Sequence, residues 1–174
     1  MACDLTIGRA TACKSVGGIK HIEIANWTSA KADVTFAADG SVSAMGAATT
    51  FFKYDVRGAS NVMDETGESS RDNNSKFYTI AGSYQLPYQD ELTTKELEIV
   101  ASTRCFVITE DFNGVRKIYG LSDGCDLSVS TNSGAAMGDF NGYTVAVTGI
   151  NPTLAPMVDG ATSLTTSASQ ISPN

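Results

Sequence analysis

The sequence predicts a mainly β protein: an antiparallel sandwich or barrel of about eight or nine strands with one flanking helix. Three observations support this class. Gly, Ser, Thr and Ala are abundant and charged residues make up only 18% of the chain, which favours strands and turns over helices. Apolar residues recur at every second position in several segments. Tight-turn pairs such as Asp39-Gly40 and Asn113-Gly114 separate some of those segments.

The length and the net charge of the chain limit its domain organisation and the partners that it can bind. At 174 residues the chain is large enough for one domain with a single core. We expect an N-terminal arm at 1–16, the β-sandwich or barrel domain at 17–150, and a C-terminal tail or arm at 151–174 that ends in uncharged residues. Nineteen acidic residues and twelve basic ones give a net charge of -7, which disfavours electrostatic binding to nucleic acid or to an anionic membrane.

The first predicted element is a strand from Ile19 to Trp27. Its apolar residues Ile22 and Ile24 fall on one face, while His21 and Glu23 fall on the other, a pattern typical of a half-buried strand. A hairpin follows, because residues 34–37 and 42–45 flank the Asp-Gly pair at 39–40.

The stretch 49–88 contains two alternating segments, at Phe51–Arg57 and Tyr78–Leu86. Between them, residues 58–73 hold four acids, one base and many turn formers, with only two sizeable apolar side chains. Loops of that length are uncommon in a compact domain, and they usually bind something or stay disordered. We therefore expect the two segments to pair and to carry a long projecting loop at 58–73.

One helix is predicted at about residues 90–103. Leu92, Ile99 and Val100 fall on one helical stripe, flanked by Leu97 and Ala101. Thr93 and Glu96 have the spacing of a capping box, which predicts the start of the helix.

The remaining predicted elements are a hairpin and a strand. The hairpin pairs Cys105–Glu110 with Val115–Leu121 across Asn113-Gly114, and the strand spans Tyr143–Thr148. For the last fifteen residues, 160–174, we expect a loose tail or one that becomes ordered against a neighbour.

Few side chains are suited to catalysis. The single histidine, His21, lies beside Glu23 on one predicted strand face, and without a nucleophile motif the pair is interpreted as a local polar contact. The acids at 64, 65, 68 and 72 lack the pattern of a calcium loop. We therefore predict no catalytic residue, no metal site and no cofactor, and we expect the protein not to be an enzyme.

The four cysteines and the N-terminus bear on the cellular compartment. Cys3, Cys13, Cys105 and Cys125 show none of the paired spacings of zinc sites, so reduced, partly buried thiols are expected, with a Cys3 to Cys13 link as the alternative. Neither a signal-peptide pattern nor an apolar run of membrane-spanning length occurs, which predicts a protein made in the cytoplasm without membrane binding.

Four segments carry a resemblance to a known family. They are Ala2–Lys20 (Ala-Cys-Asp-Leu-Thr-Ile-Gly-Arg-Ala-Thr-Ala-Cys-Lys-Ser-Val-Gly-Gly-Ile-Lys), Lys53–Gly58 (Lys-Tyr-Asp-Val-Arg-Gly), Glu68–Asn73 (Glu-Ser-Ser-Arg-Asp-Asn) and Gly138–Tyr143 (Gly-Asp-Phe-Asn-Gly-Tyr). They resemble segments of the tail tube (major tail) proteins of tailed bacteriophages. Proteins of that family have a β-sandwich or barrel flanked by a helix, form hexameric rings, and stack into a hollow tube through loops and terminal arms.

The resemblance implies roles for residues in two segments. Asp64, Glu65, Glu68, Arg71 and Asp72 would contact the next ring. Cys3, Arg9, Cys13 and Lys14 would belong to an N-terminal contact arm.

The resemblance also implies partners and a location. The chain would assemble with itself into six-fold rings and a stacked tube, and would meet a tape measure protein, a tail terminator and baseplate or tail-tip proteins. Genomic DNA would pass through the lumen without specific binding, because acidic walls disfavour its residence. The location would be the virion tail, after synthesis and assembly in the host cytoplasm.

Two other classes stay open at this point. Another virion structural protein, such as a head–tail connector or a capsid decoration protein, would have a similar fold. Copy number in the particle would discriminate, because a tube subunit should be among the most abundant tail components. A carbohydrate-binding β-sandwich could use Trp27 and the six tyrosines, with calcium in the acidic loop. Trp27 itself is more typical of a core or subunit contact than of a sugar platform.

Overall fold

The computed structural model describes residues 8–9, 16–56, 60–158 and 165–167, the last three by their backbone alone. Within them there is one helix longer than a single turn, and the fold is mainly β, as predicted. The strands are β1 (Ile19–Asn26), β2 (Thr35–Phe36), β3 (Val42–Ala44), β4 (Thr50–Asp55), β5 (Val62–Ser70), β6 (Ser75–Pro87), β7 (Cys105–Asp111), β8 (Arg116–Tyr119), β9 (Asp126–Asn132), β10 (Gly142–Asn151) and β11 (Thr165–Ser167). The helices are α1 (Ser29–Ala32) and α2 (Glu91–Ala101).

Two antiparallel sheets pack against each other as a sandwich. The first sheet has the order β4-β1-β7-β8, and the three-residue β11 extends it by pairing parallel to β4. The second sheet has the order β5-β6-β10-β9, and β2 and β3 form a separate small hairpin. No barrel closes among the described strands, so the barrel alternative of the prediction is wrong, whereas the antiparallel sheets are present as predicted.

The main core lies between the two sheets. Alternation along each strand sends every second side chain inward, so that Ile22 and Ile24 of the first sheet meet Tyr84, Tyr143 and Val145 of the second. Helix α2 adds Leu97 and Val100 to this core. Burial of this apolar surface is the main stabilising contribution to the sandwich.

A second apolar cluster covers the outer face of the first sheet. Phe51, Phe106 and Ile108 point away from the main core and pack beneath the β2–β3 hairpin and Val158. Residues 156–158 also hydrogen-bond along β8: Ile118 N donates to Pro156 O, and Val158 N donates to Arg116 O. We call this outer face of β4-β1-β7-β8 the covered face.

The structure corrects the prediction for β1. All side chains from His21 to Ala25 are buried, so the strand is buried on both faces rather than half-buried. On that side of the strand, Ala25 packs in the covered-face cluster, while His21 and Glu23 lie in a polar cluster with Glu110 and Arg116. Alternation along a strand shows that its two faces differ in polarity, but it does not show whether both faces are buried.

The prediction for residues 58–73 is wrong. Residues 62–70 form strand β5, which pairs with β6 across a turn at 71–74. The two flanking segments do not pair with each other, because β4 pairs with β1 and β6 pairs with β5 and β10. Polar composition misled the prediction, since an edge strand can carry acids and a glycine on its exposed positions.

Helix α2 confirms the predicted helix but not its details. Its N-cap is Asp90, whose carboxylate accepts hydrogen bonds from the backbone N–H groups of Leu92 and Thr93, rather than Thr93 as the capping-box spacing had suggested. The buried stripe is Leu97 and Val100, while Leu92 and Ile99 are 58% and 53% exposed.

The predicted hairpins at 39–40 and 113–114 and the strand at Tyr143–Thr148 are confirmed. Gly40 and Gly114 adopt φ values of 84° and 79°, which a side chain would strain. Strand β9 was not predicted, although Leu127 and Val129 alternate with serines there. Most of the predicted tail at 160–174 lies outside the described residues, and 165–167 pair with β4.

Candidate functional site

The β5–β6 hairpin projects beyond the rest of its sheet. Strand β10 ends at Asn151, which pairs with Tyr78, whereas β5 and β6 continue for three more pairs, ending at Ser70 and Ser75. The turn at 71–74 closes the hairpin. The predicted projection is therefore present, but as a hairpin with a short turn rather than as a long loop.

The four residues of this turn, Arg71, Asp72, Asn73 and Asn74, are here called the hairpin tip. All four are exposed. Backbone hydrogen bonds hold the turn, from Asn74 N to Arg71 O and from Asn73 N to the Ser70 hydroxyl. The tip side chains form no hydrogen bond or ion pair within the described residues, so they are available to a partner.

The five predicted ring-contact residues do not form one surface. Arg71 and Asp72 belong to the tip, while Asp64 and Glu68 lie on the outward side of β5. Glu65 lies on the opposite side of the strand, where its carboxylate accepts a hydrogen bond of 2.8 Å from Ala155 N. Glu65 therefore has a partner in its own chain, and the tip and the outward side of β5 are the surfaces left for contacts.

The outer face of β5-β6-β10-β9 is bare within the described structure, and we call it the bare face. Its outward positions alternate with core positions and are exposed or half-buried. Small, hydroxyl and amide side chains fill most of it, its charged residues are acidic, and none is Lys or Arg. The outward residues are Val62, Asp64, Thr66, Glu68, Phe77, Thr79, Ala81, Ser83, Gln85, Asp126, Ser128, Ser130, Asn132, Thr144, Ala146, Thr148 and Ile150.

A cleft opens on the bare face at the end away from the tip. Its volume is about 540 Å³, and no charged residue lines it. Amides, hydroxyls, one glycine and one aromatic ring form its walls: Gln85, Thr131, Asn132, Ser133, Gly134, Phe140 and Thr144.

Hydrogen bonds hold the cleft walls in place. The Asn132 side-chain amide donates to the Thr144 hydroxyl at 3.1 Å, and the Gln89 amide donates to Asn132 O at 2.8 Å. Asp139 accepts from the N–H groups of Ala136 and Ala135 at 2.8 and 2.9 Å, and these bonds lower the pKa of its carboxyl. These bonds link β9, β10 and the adjoining loops around the cleft.

A polar cluster occupies one end of the covered face. His21 Nε2 lies 3.2 Å from Glu23 Oε1 and 3.4 Å from Glu110 Oε2, and Arg116 donates to Glu23 Oε2 at 2.8 Å. Burial acts to raise the pKa of Glu110, but the Lys20 hydrogen bond and the nearby cationic charges outweigh it, so the pKa is lowered.

The cluster has the geometry of a structural ion network. The His21–Glu23 contact that the sequence suggested is present, although it is buried rather than on a strand surface. The cluster contains no nucleophile, so it does not match the active sites of acyl-transfer or phosphoryl-transfer enzymes. Across the described residues, no group of three His, Cys, Asp or Glu side chains could hold a metal ion.

The other predicted residues divide by their location. Of the proposed N-terminal arm contacts, Arg9 is exposed, whereas Cys3, Cys13 and Lys14 lie outside the described residues. Cys105 and Cys125 are free and completely buried. Burial raises the pKa of both thiols, that of Cys125 to about 12, as expected for inert core cysteines.

Trp27 is half-buried against the covered-face cluster. The Arg104 guanidinium lies 4.3 Å from the centre of its ring. This contact occupies one ring face, which weakens the case for Trp27 as a sugar platform.

The sequence matches no protein-family model, and comparisons with curated proteins and with solved structures give no match. Among the described residues, no helix has the length and apolar character needed to cross a membrane.

The sequence reasoning missed the bare face and the cleft. A weak signal for the bare face exists, since β6, β9 and β10 all alternate core residues with Ser, Thr or Ala. The cleft has no local signal, because its walls come from β6, β9, β10 and the loop between the last two.

Proposed function

We propose that the chain is a structural subunit of a phage tail tube, which forms hexameric rings that stack into a hollow conduit for DNA. The bare face is the single observation that carries this proposal. Among the described residues this sheet face is uncovered, most of its side chains are small or polar, its charged residues are acidic and none of its outward residues is Lys or Arg. Such a face suits a wall past which a polyanion must move without adhering.

Strand directions in this sheet are compatible with closure into a ring. All neighbours in the order β5-β6-β10-β9 are antiparallel, so the edge strands β5 and β9 run in opposite directions. Rotation about an axis along the strands preserves direction, and it sets β9 of one copy antiparallel to β5 of the next. Edge strands present unpaired backbone groups that such a neighbour would satisfy.

The width of such a ring is also adequate. Six copies of a four-stranded sheet would contribute roughly 24 strands, and barrels of about 16–18 strands already enclose an aqueous channel. The bare face would line the lumen, and the covered face, with its second apolar layer, would lie outside.

The proposed partners follow from this role. They are other copies of the chain, a tape measure protein in the lumen during assembly, and a tail terminator and baseplate or tail-tip proteins at the two ends. The location would be the virion tail, after synthesis and assembly in the host cytoplasm. DNA in transit would make no specific contact.

Electron microscopy of the purified chain tests the proposal. We expect rings or tubes by negative stain, with a central channel. A chain that stays monomeric at high concentration would contradict the proposal, as would a low copy number in purified particles.

A trimmed hairpin tests the projecting segment. Replacing Glu68–Phe77 by Asn-Gly joins the directly paired Gly67 and Tyr78 with a two-residue turn. This change keeps the core-facing Met63 and the Glu65 hydrogen bond, so the subunit should fold. We expect unchanged circular dichroism and the loss of long tubes; tubes of normal length would remove the hairpin from the stacking contact.

A further inference from the structure

The hairpin tip and the cleft lie at opposite ends of one sheet. Strand β6 leads from Ser75, next to the tip, to Gln85 in the cleft wall. The ten residue-to-residue steps from Ser75 to Gln85 span about 33 Å at the rise of an extended strand. The subunit therefore carries a protrusion at one end of the bare face and a recess at the other.

We propose that the cleft receives the hairpin tip of the next copy in the stack. This inference rests on the proposed tube function and names the surface that the projecting hairpin meets. Copies displaced along the strand direction keep the same orientation, so the tip of one approaches the cleft end of the next. Such a contact joins two different surfaces and can repeat without limit, which is what filament growth requires.

The two surfaces can form hydrogen bonds with each other. The tip offers one guanidinium, one carboxylate and two amides, all exposed. The cleft offers the amides of Gln85 and Asn132 and several hydroxyls, which can donate to or accept from each of these groups. Because no charged residue lines the cleft, neither Arg71 nor Asp72 meets a like charge in its walls.

Both surfaces are shaped in advance. Backbone hydrogen bonds define the turn of the tip, and Asp139 and Gln89 hold the loops around the cleft. A contact between preformed surfaces loses less conformational entropy than one that must order a flexible loop.

Cysteine cross-linking tests the contact. Asn73→Cys marks the tip and Ser133→Cys marks the cleft. Under mild oxidation with diamide, the double variant should give a ladder of covalent multimers on non-reducing gels. An equimolar mixture of the two single variants should stop at dimers, because each copy then supplies only one half of the contact.

Three controls separate this contact from others. The tip variant alone reports any tip-to-tip contact, and the unmodified chain reports cross-links through the native cysteines. Pairing Asn73→Cys with Ser122→Cys, in the exposed turn between β8 and β9, reports random collision.

The outcomes distinguish this inference from the proposed function. A ladder confined to the tip–cleft pair supports the contact. Tubes visible by microscopy without that ladder, or an equal ladder from the Ser122 control, would overturn the contact and leave the tube function standing. Neither tubes nor rings from the unmodified chain would overturn both.

Discussion

The two outer faces of the sandwich differ in what lies over them. The covered face carries a second apolar cluster, which includes Val42 of the β2–β3 hairpin and Val158, and it also carries a buried ion network. Among the described residues, the bare face on the other sheet carries neither, and most of its outward side chains are small or polar, with Val62, Phe77 and Ile150 as the apolar exceptions. The difference teaches that one sheet is packed on both sides, whereas no described residue packs over the outer side of the other.

Truncation at the covered face should have the largest effect on stability. Phe51 is 0% exposed, and Phe51→Ala should lower the free energy of unfolding by about 3–5 kcal/mol, because it removes an aromatic ring from a packed cluster. Phe52→Ala is the matched control, since the adjacent ring is 51% exposed and should cost less than about 1.5 kcal/mol. Urea unfolding measures both, and equal costs would contradict the distinction between them.

Breaking the ion network should have the next largest effect. Glu23→Ala leaves the Arg116 guanidinium without its buried partner and should cost about 3 kcal/mol. Lys95→Ala removes the exposed pair with Glu91 and should cost less than about 1 kcal/mol. If both variants unfold at the same urea concentration, the network does not stabilise the covered face.

Two ionisable side chains in the main core should make the folded protein less stable at alkaline pH. Burial raises the pKa values of Cys125 and Tyr119 to about 12 in the folded state, from 9.0 and 10.0. Between these ordinary pKa values and pH 12, both groups therefore release protons when the protein unfolds. Their contribution to the free energy of unfolding is complete below about pH 9 and falls as the pH rises towards 12. Melting temperatures from pH 8 to 11 measure this slope.

Tyr119→Phe is the control for the alkaline effect. It keeps the ring volume and removes the ionisable hydroxyl, so its slope above pH 10 should be smaller than that of the parent chain. An identical slope would assign the effect to groups other than Tyr119.

Substitution on the bare face should affect stability least. Thr148 is exposed at an outward position of β10, so Thr148→Lys and Thr148→Glu should each change the free energy of unfolding by less than about 0.5 kcal/mol. Assembled Thr148→Lys tubes should retain DNA at low salt and release it at high salt, whereas Thr148→Glu tubes should not retain it. DNA retention equal in the two variants would place this face away from the lumen.

Local patterns predicted some elements well. Alternation in β1, β4, β7 and β10 and the turn pairs at 39–40 and 113–114 depend on neighbouring residues, and all appear in the structure. Strand β5 could not be predicted in the same way, because its acids and Gly67 follow no apolar alternation and its formation depends on pairing with β6. The cleft could not be located from the sequence either, because its walls come from three strands and a loop that only the fold brings together.

By itself the sequence determined the mainly β class, the positions of most strands and turns, and the presence of one helix, because each follows from side-chain periodicity and turn chemistry within a few residues. The tertiary structure alone decided that β4 pairs with β1, that β5 forms an edge, and that His21 and Glu23 are buried. It also decided that the tip and the cleft lie at opposite ends of one sheet. These properties depend on residues far apart in the chain, and only packing of the whole sandwich brings them together.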